Sequence, residues 1–383
     1  MRRSTDRILT THVGALPTPK GLWNDGDVDA VRLRKDVVDI VHRQVDCGVD
    51  IVNEGELTKG GNWVDFINTR LTGFVPRPPG GSIKLLMESA DWIEFGEFYR
   101  DALEGGTLFE QTRSAPDQLR TMDWGCDGAI AYKGQDQLQR EIDCLKAALG
   151  SKPPSDAFLT STAPASLEPG RENSHYKSQE EFVYALAEAM RVEYEAIVAA
   201  GFLLQVDDAW LPALWDRIGI KMGLDGYKHY CRIRIEALNH ALRNIPSEKV
   251  RYHLCWGSWH GPHAYDIPLT DMVDLLLSVK AQTYLFEAAN ARHEHEFPVW
   301  ETVKLPDDKI LAPGVVTHST PLIEHPELVS MRIQRFTRIV GRERVLASTD
   351  CGLGLRCHPQ IVWAKLRALS QGAALASKTL WSS

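Results

Sequence analysis

At 383 residues and 44% hydrophobic content, the chain can build one large α/β domain or two smaller ones. Its formal charge of -8 and pI near 5.9 argue against the basic face of a nucleic-acid binder. No apolar run approaches the roughly 20 residues that cross a bilayer, Met1–Arg7 lacks the apolar middle of a secretion signal, and seven cysteines, an odd number, suit a reducing compartment better than a disulfide framework; a soluble cytoplasmic protein is expected.

Short apolar runs then alternate with helical patterns, which predicts parallel βα units. Run one is Arg7–Gly14, and Val37, Val38, Ile40, Val41 and Val45 recur near helical spacing in the helix that follows from Ala30. Run two, Asp50–Asn53, breaks at Glu54-Gly55-Glu56. From Leu57 to about Lys152 the alternation is lost, so residues 57–152, with a helix over Gln135–Leu149, read as an insertion covering one face. Runs three and four are Ala157–Thr162 and Phe202–Val206, followed by helices Gln179–Ala200 and Tyr227–Asn244. Run five starts at Val250 and carries His253-Leu254-Cys255, with a helix over Leu269–Lys280. Run six, Thr283–Phe286, stops at Glu287 and precedes a short helix near Glu296–Val303. Run seven, Ile310–Val316, leads to Thr317-His318-Ser319 and a helix over Pro326–Val340. Run eight, Val345–Asp350, stops at Cys351 and is closed by a helix over Pro359–Lys378.

Eight such units predict a single (β/α)₈ TIM barrel over residues 1–383, with the insertion on its C-terminal face. In that fold the active site is built at the carboxyl ends of the strands. His253 and Cys255, two apart on an extended segment, point the same way. Glu287 and Cys351 end runs six and eight, and His318 leans over them from run seven between. Nitrogen, two sulfurs and a carboxylate suit tetrahedral Zn²⁺. Two thiolates and a carboxylate leave such a site near -1, a poor acid for water but able to keep a substrate thiol electron-rich toward an alkyl carbon. Glu287 is the expected labile ligand.

Thr10–Gly14, Gly55-Glu56, Gln205-Val206-Asp207, His253-Leu254-Cys255, Glu287, Pro313-Gly314-Val315 before His318, and Asp350-Cys351-Gly352 occur in an order that resembles the catalytic barrel of the cobalamin-independent methionine synthases. The resemblance covers nearly the whole chain. It implies zinc on His253, Cys255, Glu287 and Cys351, and transfer of a methyl group from a methyltetrahydrofolate to homocysteine. It further implies substrate contacts from Asp207, Glu56 and His12, with His318, near its ordinary pKa of about 6.5, as proton donor. Of the adjacent Asp207 and Asp208 only one can face the site, and Asp207 is the expected one.

Three features depart from that pattern. No counterpart is read of the amino-terminal half that helps full-length synthases bind polyglutamylated folate; Gly14-Ala15 stands where the family places a Ser; and Ser161–Ser166 lacks the Trp on which a pterin would stack. The loops Trp256–His263 and Ala288–Glu296 resemble those of short single-barrel relatives, a group that includes the epoxyalkane:coenzyme M transferases. Zinc-dependent addition of a thiol to an epoxide is therefore an alternative activity. A metal-free decarboxylase of the uroporphyrinogen decarboxylase type, and a metal-storing scaffold, are alternatives of other classes. His260, His263, His293 and His295 are expected to pack, cap or meet substrate oxygens, Arg292 to meet an anionic group or solvent, and Trp63, Trp210, Trp256 and Trp259 to wall a pocket or fill the core. Partners are expected to be a small thiol and an alkyl donor, with no nucleic acid or membrane; homo-oligomerisation is left open.

Overall fold

The computed structural model of the chain describes residues 1–24, 27–60, 65–78, 80–108, 123–354 and 356–382. Six of the eight runs form one parallel sheet, in which Phe158–Thr162, Leu203–Asp208, Val250–Leu254, Thr283–Phe286, Ile310–Val316 and Ser348–Thr349 pair in chain order. The first two runs close the ring. Thr10 bridges Ala347, Ile51 N donates to Thr10 O (3.1 Å), and Val52 bridges Ala157. The result is the expected eight-stave α/β barrel, numbered below as the runs.

Staves one and two nevertheless differ from the expectation of regular strands, because each is held by an isolated bridge. Side chains take over part of the pairing: Asp50 Oδ2 accepts from Thr10 N (2.9 Å) and from Thr10 Oγ1 (3.0 Å). Stave eight is likewise short, with a register shift between Gly314 and Val316 of stave seven.

Leu9, Val13, Ile51, Phe158, Leu203, Leu285, Ile310, Ala312 and Leu346 fill the barrel interior. A larger apolar layer lies between the staves and the outer helices. The helix Ala30–Asp46 shows why such segments fold as they do. Asp29 caps it by accepting from Val31 N and Arg32 N, and Leu33, Val37, Ile40, Val41 and Gln44 form its buried stripe. Pro326 and Pro359 open the last two long helices at the first turn, where the missing N–H is harmless.

The insertion boundary of 57–152 needs correcting at its end. Helix Gln135–Leu149 packs on helices Ala30–Asp46 and Gln179–Ala199, in the place of the outer helix that follows stave two. Its anchor is ionic. Arg70 donates to both Glu141 and Glu193, and Tyr132 donates to Glu193 (2.7 Å), all of them buried except the tyrosine edge. The preceding helices, Ala90–Glu94 and Gly96–Glu104, bond instead to the loops after staves four and five: Asp91 N donates to Asp216 Oδ1 (3.1 Å), Ala264 N to Asp91 Oδ1 (2.9 Å), and Trp259 Nε1 to Tyr99 OH (3.2 Å). Among the described residues no helix is long and apolar enough to cross a membrane.

Candidate metal centre and substrate cavity

The site grows from the period of two along stave five. Arg251, His253 and Cys255 point into the lumen in turn. Arg251 donates to Thr11 Oγ1 (2.9 Å) and His12 O (2.8 Å) and stacks 3.8 Å over Phe158, forming the floor. One rung up, a ring nitrogen of His253 and the sulfurs of Cys255 and Cys351 lie within 4.8 Å of one another. The two sulfurs are 3.6 Å apart, and Glu287 Oε1 is 3.7 Å from Cys255 Sγ. Three of the four residues named from sequence, His253, Cys255 and Cys351, thus converge, and Glu287 adjoins them at Cys255 while grouping with His318 and Asp350.

Each donor is held from behind. His253 Nδ1 is 3.0 Å from Asp207 Oδ1, which leaves its buried Nε2 without a partner. Glu287 accepts from Trp256 N (3.1 Å) at Oε1 and from Asn290 Nδ2 (2.6 Å) at Oε2. Asn290 also donates to Asp350 Oδ2 (3.2 Å), while Asp350 Oδ1 accepts from Ala288 N (2.8 Å) and Ala289 N (2.9 Å). Asp350 fits only because stave seven has a glycine there. A Cβ on Gly314 would stand 2.0 Å from Asp350 Oδ1 and 2.6 Å from its Cα.

The electrostatics are those of crowded acidic groups, with the charges of His293 and His263 pulling against them. Burial, then the charges of Asp350 and Cys351, push Glu287 up to about 7. The Cys255 thiol is driven up by sharing its hydrogen with Cys351, which falls to about 6 through that contact and the nearby His253 and Arg356 charges. An unpartnered imidazole nitrogen, two facing sulfurs and a carboxylate are a donor set that fits a divalent zinc ion.

Asp207 and Asp208 diverge, as adjacent residues on a strand must. Asp207 faces His253 and accepts from Gln205 Nε2 (2.7 Å); Asp208 turns outward to Ser166 Oγ (2.7 Å) and Tyr252 OH (2.9 Å). Glu56 sits at φ 59°, accepts from Thr160 Oγ1 (3.1 Å), and would collide with any Cβ on Gly14. Burial and the charge of Asp207 push its carboxyl up to about 8, against the pull of Lys59.

Two expectations are revised by the geometry. His12 is set apart from the cluster, because Leu9, Thr11 and Val13 take the lumen side and leave His12 facing helix Ala30–Asp46. There its Nε2 is 2.8 Å from Gln44 Oε1, and burial lowers it to about 4. His318 does face the cluster, with a donor atom within 4.8 Å of Glu287 and Asp350 and Nδ1 unpartnered. Its pKa, however, is far from ordinary. Burial, then the charges of Arg356, His263 and His260, hold it well below 6.5, so it is neutral near pH 7.

A cavity of about 480 Å³ opens beside the cluster, lined by Glu287, Asn290, His318, Trp259, His260 and His293 among others. His263 and His293 flank Asp266 (3.2 Å each), and His293 Nδ1 is 2.8 Å from Glu296 Oε2, which ties the two loops into one wall. His295 and Arg292 are exposed. Trp256 is fully buried and donates to Ile267 O (2.7 Å), Trp210 is half-buried, and Trp63 lies outside the described residues. Sequence reasoning missed Asn290, Asp350 as a support, and Arg356, which donates to Ser258 Oγ (2.7 Å) beside the sulfurs. The spacing of Asn290, three beyond Glu287, was the available signal.

Similarity to known proteins agrees with this layout. Residues 165–374 match the model of the cobalamin-independent synthase catalytic domain. The methionine synthase of Saccharolobus solfataricus is 23% identical, with 97% of this chain and 96% of that protein covered. The 2-hydroxypropyl-CoM lyase of Xanthobacter autotrophicus is 25% identical, with 96% and 94% covered. In fold, the B12-independent methionine synthase from Shewanella sp. W3-18-1, solved with selenomethionine, superposes with a TM-score of 0.70 at 18% identity, covering 98% of this chain and all of that one. With eight staves, a donor cluster on their carboxyl ends and a family match over more than half its length, the chain belongs to the cobalamin-independent synthase family.

Proposed function

We propose that this enzyme is a zinc-dependent transferase that passes a methyl or other small alkyl group to the sulfur of a small thiol, homocysteine and a methyltetrahydrofolate-type donor being the first pair to test. The observation that carries the reading is the His253 imidazole, unpartnered at Nε2, beside the sulfurs of Cys255 and Cys351 and the Glu287 carboxylate. Zinc held by these four residues would keep a bound thiol as a nucleophilic thiolate near neutral pH.

The chain's own residues supply the rest. Asp207 accepts the Nδ1 proton of His253 and so fixes the tautomer that presents Nε2. Asp207, close enough for its charge to push the Glu56 carboxyl up, suits together with Glu56 the ammonium group of an amino-acid thiol. As the new sulfur–carbon bond forms, the bond from carbon to the donor nitrogen breaks with its electron pair, and that nitrogen takes its proton from water. His318, neutral and unpartnered at Nδ1, is placed to hold the departing group by a hydrogen bond. The metal-free alternative required the clustered Cys and His to leave no room for an ion, and donor atoms within 4.8 Å of one another count against it.

A second reading, addition of the thiol to an epoxide, is supported by the 25% identity to the 2-hydroxypropyl-CoM lyase. Both place the enzyme in the cytoplasm with small-molecule partners. Metal analysis of the purified chain, then methyl-transfer and epoxide-opening assays with several thiols, tests the proposal. Close to one zinc per chain is expected, lost in Cys351→Ser; an active zinc-free protein, or unchanged zinc in the variant, overturns it.

A further inference from the structure

A buried lysine reaches Glu56 through a hydroxyl group. Lys59 ends the short turn Leu57–Lys59 that follows stave two, and its side chain is 1% exposed. Its ammonium donates to Thr160 O (2.8 Å) and Thr160 Oγ1 (2.6 Å) on stave three, and lies 3.5 Å from Glu54 Oε1. Because Thr160 Oγ1 accepts from Lys59, its own hydrogen is turned to Glu56 Oε1 (3.1 Å). Cation, hydroxyl and carboxyl group thus form one line of hydrogen bonds directed at Glu56.

The backbone is arranged around that line. Glu56 keeps a left-handed φ of 59°, which a residue with a Cβ rarely adopts. The turn lets Lys59 N donate to Glu56 O (3.1 Å), which fixes the two residues to one another. The charges facing Glu56 are Lys59 and Glu54 from its own loop and Asp207 from stave four, while stave three brings the Thr160 hydroxyl and stave one the bare Gly14. Burial pushes the Glu56 carboxyl up, and Lys59 pulls it back more strongly than Asp207 and Glu54 push. Burial also acts to discharge Lys59, but the acids Glu54, Glu141 and Glu56 more than reverse this, so it stays charged.

We propose that Lys59 is a positioning residue for the amino group of the acceptor: through the Thr160 hydroxyl it fixes Glu56, and its charge offsets Asp207 and Glu54 so that Glu56 meets an ammonium group as an anion. This rests on the transferase reading for the identity of the acceptor. The test is calorimetric titration of the zinc-loaded full chain with L-homocysteine, with 4-mercaptobutyrate, which lacks the amino group, and with L-2-aminobutyrate, which lacks the sulfhydryl. It is repeated on Thr160→Val, which keeps the Lys59–Glu54 pair and removes the hydroxyl. A second variant, Lys59→Met with Glu54→Gln, removes both charges of the pair so that neither is left buried alone.

The parent chain is expected to bind homocysteine about 10-fold tighter than 4-mercaptobutyrate. Each variant loses most of that preference and leaves 4-mercaptobutyrate within about twofold. Denaturant unfolding of the ligand-free variants supplies a second readout. The stability that the Glu56 proton confers, complete below about pH 4.5 and lost in the parent as the pH rises through about 8, should persist to higher pH in both, since the pull of Lys59 outweighs the push of Glu54. A lysine that merely neutralised Glu54 would leave that range where it is. A preference for the amino group that survives in either variant overturns the proposal, as does an unmoved stability profile. A parent chain that does not distinguish homocysteine from 4-mercaptobutyrate also overturns it, by removing the ammonium group from Glu56. Homocysteine binding no better than L-2-aminobutyrate would instead remove the thiol-transfer reading, while weaker L-2-aminobutyrate binding in both variants would still uphold the role of Lys59.

Discussion

Two buried polar regions of this barrel treat charge in opposite ways. Where helix Gln135–Leu149 joins the ring, Arg70 sits between Glu141 and Glu193, with Tyr132 and Ser161 completing the bonds to Glu193. At the ends of staves five, six and eight, two sulfurs and a carboxylate crowd together beside an imidazole nitrogen with no acceptor or donor of its own. The chain can plainly neutralise a buried acid when the purpose is to join two elements. The second region takes its counter-charges from His293, His263 and Arg356 around its edge while its donor atoms face one another, the arrangement that the proposed zinc ion would require.

The strongest way to break the contrast is to remove a donor. Cys351→Ser and His253→Asn are each expected to lower zinc affinity by more than about 100-fold, beyond what losing an outer support costs, with alkyl transfer falling in parallel; zinc titration against a chelating dye reads this directly. Next comes the paired region. Arg70→Met leaves two buried acids facing one another and should destabilise the fold by about 3–5 kcal/mol in denaturant unfolding, while the folded fraction keeps its full zinc. If that variant lost zinc instead, the two regions would not be independent.

A smaller effect sharpens the role of the support behind the imidazole. Asp207→Asn removes the carboxylate that accepts from His253 Nδ1 and should weaken zinc binding by about 10–100-fold with little change in melting. The smallest expected effect is one of pH. Glu56 has its folded pKa raised from 4.5 to about 8, so the folded state holds a proton that the unfolded chain has released. Its contribution to stability is complete below about pH 4.5 and fades as the pH rises toward 8, with a slope no steeper than about 1.4 kcal/mol per unit. Glu56→Gln should flatten that part of the stability profile; an unchanged slope would show Glu56 to be ionised throughout.

The barrel was legible, and so was the nearness of His253, Cys255 and Cys351 with Glu287 beside Cys255, because hydrophobic runs mark the staves and the residue ending each run marks the rim. What escaped depends on orientation and environment. His12 belonged to the right run but to the wrong side of it, and the alternation of Leu9, Thr11 and Val13 carried that information. The protonation of His318 depends on Arg356, His263 and His260, none of them near it in sequence. Staves one and two read as strands from composition, yet their pairing is shared with side chains such as Asp50.

Gly314 donates nothing to the cluster and would be passed over in any search for reactive groups. Yet the bare face it gives to stave seven is what lets the Asp350 backbone sit close enough to set the reach of Cys351 across the lumen. The spacing of the sulfurs is thus gauged by an empty place on a neighbouring strand. Anyone wishing to widen the gap between these sulfurs should begin with that missing methyl group and leave the donors alone.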